Sequence, residues 1–411
     1  MRDCSTTTLS GINRITHIIK QQTVMRAKST ILALAALSFA MVACETNTTN
    51  TPVDMDTKEE AFKSAIIPYI DNTVVPTYRG MADNALLLAE ACAEIQQAHA
   101  DGTLTTELIV EAGNYWKESR RYWEESEAFL YGAAADYNID PHIDSWPLDK
   151  NAMDDLLADI NAGKSWSIDN NINYGLLGFH AVEYMLFELS EDGTVSHPHN
   201  TNYTEAELIY LVAVADDLAG QCVRLEAAWA GMDGVTAEKR TLLEEAELEP
   251  SINYGQSMKT AGQGGSLYKT YQEAAEELVD GCITIADEVA NTKMGTPVKG
   301  AQGDAEGDRN YIESPYSLNS IVDFQGNIIS IKNAYAGSNA GDASISDYIK
   351  SVNAELDTEV MTLIDESYEY IGRIQEPFAQ HLSDKEATDA IDKVNELVAA
   401  IESVYAELSK N

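Results

Sequence analysis

Apolar residues recur every three to four positions over most of the chain beyond residue 57, a spacing that is typical of amphipathic α-helices. Stretches in which apolar and polar residues alternate, as they do in half-buried strands, are few. The pattern predicts eight helices, over residues 58–99, 104–131, 169–189, 203–231, 266–291, 315–336, 344–373 and 383–409.

Eight helices of this length predict an all-α fold built from two packed helical bundles. We assign residues 57–235 to the first bundle and residues 236–411 to the second. The segments Ala215–Leu218 and Ala275–Leu278 resemble each other, and each precedes a cysteine at the same spacing. This similarity suggests a duplicated four-helix bundle.

Local signals indicate where helices start, bend and stop. Pro68 and Pro76 are predicted to kink or interrupt the first helix, because proline removes a backbone donor. Thr204 with Glu207, and Ser383 with Glu386, predict capping-box starts of two helices. Three segments lack a helical period and are predicted to be long loops, which in compact proteins are often functional: residues 136–164, 250–265 and 292–314.

The N-terminus has the order of a targeting segment. Arg26 and Lys28 precede an apolar run over residues 31–42, which is too short to span a bilayer and is typical of a signal peptide. We therefore predict a signal peptide over residues 1–43, with Met25 as the expected start of translation.

The small residues before Cys44 resemble a bacterial lipobox, which predicts that Cys44 is lipidated and begins the mature chain. Residues 44–56 are polar and lack a hydrophobic pattern, so they are expected to form a flexible tether. Glu45 after the anchor favours the outer membrane, facing the periplasm or the cell surface. The alternative is an ordinary signal peptide followed by an incidental cysteine.

The chain carries 67 acidic residues against 27 Lys and Arg, a net charge of −40. A field of this sign repels nucleic acid and attracts cations, so nucleic-acid binding is excluded as the function. Cys92, Cys222 and Cys282 lie in helical patterns without Cys-x-x-Cys spacing, which indicates buried core residues. A Cys222–Cys282 disulfide in an oxidising compartment remains open at this point.

The most informative stretch is the apolar run over residues 173–187, which contains one imidazole, His180, and one carboxylate, Glu183. Residues three apart share one face of a helix, so both side chains point at the same place. A buried carboxylate is costly unless it is paired or coordinates a metal. The pair is therefore either a satisfied contact of the core or half of a metal site.

Gly178-x-His180-x-x-Glu183 resembles the signature of the imelysin-like family, and four further segments resemble family segments in the same order along the chain. These segments are Trp116–Gly132, Ile143–Leu148, Ala286–Asn291 and Glu313–Gly337. The resemblance implies a helical fold, a role in bacterial iron uptake, and a peptidase label.

On this basis we predict a metal site of His180, Glu183 and, as a third ligand, Glu127, since imidazole with carboxylates suits iron or zinc. A salt bridge to Arg120 or Arg121 is the alternative for Glu127. The residues expected around the ligand-binding cleft are Gly178, Arg120, Asp144, Ser145, Trp146, Tyr316, Ser317, Asp323 and Asn327. Asp144 is alternatively a turn former, and the last four a capped helix start and a polar seam between helices.

Three functions follow as hypotheses. The first is an envelope lipoprotein that binds iron, another metal or an iron-containing ligand and contributes to iron uptake. The second is a metallopeptidase that uses His180 and Glu183, although the chain has neither His-Glu-x-x-His nor Gly-x-Ser-x-Gly. The third is a structural partner of an outer-membrane transporter.

Overall fold

The protein is described by a computed structural model that covers residues 55–168 and 172–410. Its longer helices are α1 (Met55–Pro68), α2 (Val75–Ala100), α3 (Thr106–Glu124), α6 (Lys150–Asn161), α7 (Gly178–Leu186), α8 (Glu205–Ala230), α9 (Ala237–Ala246), α11 (Tyr271–Asp287), α13 (Ser320–Ala336), α14 (Ile345–Val352), α15 (Ala354–Ile371) and α16 (Lys385–Leu408). The shorter ones are α4 (Ala133–Asp136), α5 (Ile139–Ile143), α10 (Tyr254–Lys259) and α12 (Gly295–Ala301). The predicted all-α fold is confirmed.

The two strands of the described chain form one small hairpin. β1 (Phe187–Leu189) pairs antiparallel with β2 (Ser196–Pro198), and Glu188 faces His197 across the ladder. Beside the helices this hairpin is a minor element, so it does not change the fold class.

In the first bundle, α2 packs along α3 and α8, and α7 fits between α3 and α8. Helix α8 begins where the sequence predicts, because the Thr204 side chain accepts from the backbone of Glu207 and Glu207 caps Thr204 in return. The predicted start at Ser383 is wrong by one residue. Asp384 is the N-cap of α16 and forms no side-chain cap.

In the second bundle, α11 packs against α13 and α16, and α15 packs against both of those helices. Helix α1 also lies against α11, although the sequence-based assignment places most of α1 in the first bundle. The Lys58 ammonium binds the carbonyl oxygen of Lys410 at 2.7 Å, and Glu59 accepts from the backbone of Tyr271 at 2.9 Å. The chain reaches both bundles because the predicted break near Pro68 is a π-helical turn, Tyr69–Val74, between α1 and α2.

The bundles meet where α3 approaches α13. A Cβ added to Gly326 on α13 would lie 2.7 Å from Cβ of Glu124 on α3, so only a glycine permits this approach. The backbone turn Glu127–Phe129 after α3 also packs against α11 and α13. Polar side chains at this end of α3 are therefore buried between the bundles.

Several predicted boundaries differ from those observed. The helix predicted over residues 104–131 ends at Glu124. Of the helix predicted over 169–189, residues 169–171 lie outside the described residues, and the α-helix of the described part is Gly178–Leu186. The predicted long loops contain helices: α5 and α6 lie within residues 136–164, α10 within 250–265 and α12 within 292–314. Except for α6, which has 12 residues, these helices are too short to show a helical period in the sequence.

The predicted signal peptide, the lipidated Cys44 and the tether before residue 55 lie outside the described residues. Lipidation stays a prediction, which palmitate labelling of the wild type and of Cys44→Ser tests. No helix in the described ranges combines the length and apolarity required to cross a bilayer. Cys92, Cys222 and Cys282 are buried and unpaired, so the structure contains no Cys222–Cys282 disulfide.

A buried acid on α8 gives a prediction about stability. Oδ2 of Asp216 is buried without a hydrogen-bond partner in the described structure. Burial, reinforced by Asp217, raises the pKa of Asp216 to about 8, whereas an unfolded aspartate titrates near 4. The folded chain therefore holds an extra proton between these pH values, and stability falls as the pH rises through that window.

Asp216→Asn removes this titration. Its free energy of unfolding relative to the wild type should rise between pH 5 and pH 8, by at most roughly 1.4 kcal/mol per pH unit. Urea unfolding at three pH values measures the difference. The exposed Asp233 provides the control for loss of one negative charge, as Asp233→Asn. A difference between Asp216→Asn and the wild type that is constant with pH would contradict the prediction.

Candidate metal centre

The backbone around Gly178 places the His180 helix against the Asp144 turn. Gly178 has φ +71°, and a Cβ at this position would lie 2.0 Å from the carbonyl oxygen of Ile143. Only glycine accommodates this conformation together with this contact. On the other side of α7, the indole nitrogen of Trp116 donates to the carbonyl of Phe179 at 2.9 Å. The helix start is thus fixed between α3 and the residue that precedes Asp144.

His180 is buried and lies between two carboxylates. Its Nδ1 is 3.1 Å from Oε2 of Glu183, and its Nε2 is 3.1 Å from Oδ1 of Asp144. The first contact is a hydrogen bond, whereas the second lacks hydrogen-bond geometry. A carboxylate on Nδ1 fixes the ring and directs Nε2 away from the helix, as it does in carboxylate–histidine–metal arrangements.

Glu183 is held by the loop that precedes α13. Its Oε1 accepts from the backbone nitrogens of Tyr316 and Ser317 at 3.0 and 2.7 Å, and from the Ser317 hydroxyl at 2.7 Å. With Oε2 on His180, both carboxylate oxygens are committed. Glu183 is therefore placed to orient His180.

Arg120 is fully buried at the centre of the cluster and contacts four carboxylates. It lies 2.5 Å from Glu124, 2.6 Å from Glu313 and 3.4 Å from Asp323, and it also pairs with Asp144. Four acids on one guanidinium compensate the cost of burying it. The second oxygen of Asp144 accepts from the indole nitrogen of Trp123 at 2.7 Å.

A second buried cation, Lys293, comes from the π-helical turn Glu288–Lys293 after α11. Its ammonium lies 3.1 Å from Glu313, 3.3 Å from Glu127 and 3.6 Å from Glu124. Lys293 is the last residue of this turn, and its side chain is buried. Lys293 therefore joins the second bundle to the acids at the end of α3.

The loop before α13 completes the cluster. The Ser314 hydroxyl and the Asn319 amide each donate to Asp323 at 2.5 Å. Ser314 itself has φ +49°, a left-handed conformation that costs a non-glycine residue energy and is found most often at functional sites. The Asn327 amide donates to Glu124 at 2.6 Å, so that acid is also tied to α13.

The cluster has more acids than bases. Its buried carboxyl groups are Glu124, Glu127, Asp144, Glu183, Glu313 and Asp323, and its buried cationic groups are Arg120, Lys293 and His180. Such an excess of buried carboxyl groups is stabilised by protonation of some of them or by a further cation.

The pKa values reflect this balance. Burial raises the pKa of Glu124 and of Glu127 despite the nearby cations. Burial alone would also raise the pKa of Asp144, but Arg120 and then His180 hold it well below its usual range. Burial opposes protonation of His180, yet the adjacent carboxylates of Asp144 and Glu183 raise its pKa to about 9. Without metal the imidazole is therefore protonated at neutral pH, and a metal on Nε2 must displace that proton.

A cleft of about 320 Å³ opens next to the cluster, and His180 lies in its lining. The Trp146 ring stands between the cleft and the interior, with its centroid 6.1 Å from that of His180 and 5.3 Å from the Lys293 ammonium. The remaining lining residues are Pro147, Leu148, Arg309, Asn310, Ile312, Pro315, Tyr316 and Ala379. The imidazole thus connects the buried acids to an accessible space.

One group of donors fits a metal ion. Single ligand atoms of Asp144, His180 and Glu313 lie within 4.8 Å of one another, and all three residues are buried. In the described structure, neither Nε2 of His180 nor Oε2 of Glu313 has a hydrogen-bond partner. The His180 imidazole, the Glu313 carboxylate and the Asp144 carboxylate are ligand types that iron and zinc accept.

Most of the residues expected around the site lie in this cluster or in the cleft wall: Arg120, Asp144, Trp146, Tyr316, Ser317, Asp323 and Asn327. Glu183 supports His180, and Gly178 acts through the backbone. Glu127 pairs with Lys293 and belongs to a group with Glu124 and Asp144 that does not contain His180. The Ser145 hydroxyl donates to the carbonyl of Pro141 at 2.6 Å and points away from the cluster.

Three members of the cluster were not predicted as site residues, namely Glu124, Lys293 and Glu313. Glu124 lies four residues after Arg120, and this i, i+4 spacing is the sequence signal that pairs them. Glu313 starts the segment that resembles a family motif. Lys293 lies in a predicted loop, and its sequence neighbourhood contains no signal of burial.

Several known proteins are similar to this chain in sequence or in fold. Iron-regulated protein A of Synechococcus elongatus is 28% identical over 269 residues, which cover 66% of this chain and 63% of the relative. The chain thus matches just under two thirds of that relative's length.

Two solved structures are similar in fold. One is a candidate iron-regulated protein A precursor from Parabacteroides distasonis, with a TM-score of 0.71, 26% identity, and coverage of 85% of this chain and 96% of that chain. The other is an imelysin-like protein from Psychrobacter arcticum, with a TM-score of 0.58 and 14% identity over 86% and 96% of the two chains, which shows the fold alone. The sequence model of the family named imelysin matches residues 74–404, well over half of the chain, so this protein belongs to the imelysin family.

Proposed function

We propose that this protein binds a metal ion, iron in the first place, through His180, Asp144 and Glu313, and that it serves iron acquisition in the cell envelope. The observation that carries the proposal is the pair of buried, undercommitted donors, Nε2 of His180 and Oε2 of Glu313, beside an accessible cleft. Imidazole with two carboxylates is a donor set for iron or zinc. The names of the relatives, which are iron-regulated proteins, favour iron.

The roles of the remaining residues follow from their contacts. Glu183 would hold the imidazole with Nε2 toward the metal, and Arg120 and Lys293 would keep the carboxylates in place before the ion arrives. A bound ion would act as a further cation among the acids. The envelope location rests on the predicted signal peptide and on Cys44.

The geometry favours binding over peptide hydrolysis. A metallopeptidase requires a general base beside a metal-bound water. Glu183 is poorly suited to that role, since three donors bind its Oε1 and the imidazole faces its Oε2. The other five acids of the cluster, which are Glu124, Glu127, Asp144, Glu313 and Asp323, each contact Arg120 or Lys293 directly.

Metal titration of the apo protein tests the proposal. We expect about one ferrous ion per chain for the wild type, and affinities at least about 100-fold weaker for His180→Ala and Glu313→Gln, because each removes a ligand. Glu183→Gln should weaken binding by about 10- to 100-fold, as loss of an orienting carboxylate does. Calorimetry measures the affinities, and thermal melting of the apo variants shows whether each one is folded.

His381→Ala is the matched control, since His381 pairs with Asp384 in a separate histidine–carboxylate contact of 2.7 Å. Its affinity should equal that of the wild type. Unchanged metal binding in His180→Ala would refute the proposal. Metal-dependent cleavage of unfolded substrates by the wild type, lost in both His180→Ala and Glu183→Gln, would favour the metallopeptidase hypothesis over this proposal. If the wild type binds no metal and His180→Ala lowers the stability of the apo protein, His180 has a structural role, and the hypothesis of a structural partner of a transporter is favoured.

A further inference from the structure

We propose that the cleft beside His180 receives the metal as a complex with a small organic polycarboxylate, so that the chelator occupies the cleft while the ion meets the buried donors. This inference rests on the proposed function and specifies its ligand. Three properties of the cleft support the inference: its connection to the centre, the chemistry of its wall and its size.

The protein supplies an incomplete set of ligands. Asp144, His180 and Glu313 offer one atom each, and a centre with three protein ligands retains open positions for another molecule. Among these three residues, His180 is the one that lines the cleft. The open positions are therefore reached from the cleft, and a co-ligand there completes the coordination.

The wall of the cleft suits an organic body. The Trp146 and Tyr316 rings and the side chains of Leu148, Ile312 and Pro315 supply an apolar surface. The Tyr316 ring is held edge-on by Tyr184, with centroids 4.9 Å apart. A site for a hydrated ion alone needs no such wall, whereas sites for small molecules are mostly apolar with a few placed polar groups.

The placed polar groups indicate an anion. Arg309 and Asn310 lie in the lining and are exposed. Within residues 55–168 and 172–410, the Arg309 guanidinium forms no hydrogen bond or ion pair that stabilises it internally. A guanidinium matches a carboxylate in a two-point contact.

The size of the cleft admits such a ligand. Its volume of about 320 Å³ lies within the range of roughly 300–1,000 Å³ that small-molecule sites occupy. A chelator of the size of a tricarboxylate therefore has room beside His180.

The test compares three probes on the mature protein: ferric iron with excess citrate, ferrous iron alone, and citrate alone. Arg309→Glu should weaken binding of ferric citrate by about tenfold or more, because it replaces attraction by repulsion. Binding of ferrous iron alone should change by no more than about twofold, since the exposed charge is screened. Citrate alone should bind far more weakly than ferric citrate.

Lys63→Glu is the control, since it makes the same charge change at an exposed residue of α1 that pairs with Glu60. It should change ferric citrate binding by no more than about twofold. Equal effects of Arg309→Glu and Lys63→Glu on ferric citrate would overturn the inference, as would citrate stripping iron from the wild type. In either case, binding of ferrous iron alone by the wild type would show that the proposed metal centre is still supported. If neither iron form binds, the proposed function fails as well.

Discussion

Replacing Arg120 with methionine is expected to destabilise the protein by about 3–5 kcal/mol, or to prevent folding, because it leaves buried carboxylates without their shared cation. Arg120 contacts Glu124, Asp144, Glu313 and Asp323, and none of the four is exposed to solvent that could replace the guanidinium. Lys293 pairs with Glu124 and Glu313 but forms no ion pair with Asp144 or Asp323. Urea unfolding of the apo protein measures the loss.

Arg121→Met is the matched control, one residue along the same helix. Arg121 is partly exposed and pairs with Glu118 and Glu125 on the surface. Removing such pairs costs about 1 kcal/mol or less. If the two substitutions destabilise the protein equally, Arg120 is not the cation that holds the acids together.

Gly178→Ala is expected to cost about 3 kcal/mol or more and to abolish tight metal binding. The new Cβ would collide with the carbonyl oxygen of Ile143, 2.0 Å away, and the backbone conformation at φ +71° adds strain. Ile143 immediately precedes Asp144, so relief of the collision moves Asp144 relative to His180. Thermal melting and metal titration report the two effects.

Gly163 offers a control with the same φ of +71° and no atom within 4 Å of the added Cβ. Gly163→Ala should cost about 1–2 kcal/mol from backbone strain and leave metal affinity unchanged. The difference between the two variants isolates the contact with Ile143. Equal costs, together with unchanged metal affinity in Gly178→Ala, would show that this contact does not position the site.

The sequence was sufficient for the fold class and for several contacts within the candidate site. Helical periodicity predicts the all-α fold because long amphipathic helices carry their own signal. The i, i+3 spacing placed His180 and Glu183 on one face, and they are in contact at 3.1 Å. The turn before α7 contains Asp144 and Trp146, which do lie beside His180.

The sequence did not reveal how the long-range contacts divide the acids into different roles. The backbone nitrogens of residues 316 and 317 hold Glu183 in place beside His180. These contacts span 133 and 134 positions of the sequence, so no local pattern predicts them. The positions of Lys293 and Glu313 depend on a π-helical turn and on the backbone of the loop before α13. The predicted helix over residues 169–189 was too long because its apolar run masks the left-handed Gly178 that starts α7.

Anomalous diffraction from crystals of the iron-loaded protein tests the metal centre most directly. Data collected on both sides of the iron absorption edge locate the ion without reference to any assumed ligand. We predict one strong peak per chain, within bonding distance of Nε2 of His180 and of carboxylate oxygens of Asp144 and Glu313. A peak elsewhere, such as at the exposed His197 of the β-hairpin, or no peak from protein carrying stoichiometric iron, would contradict this assignment.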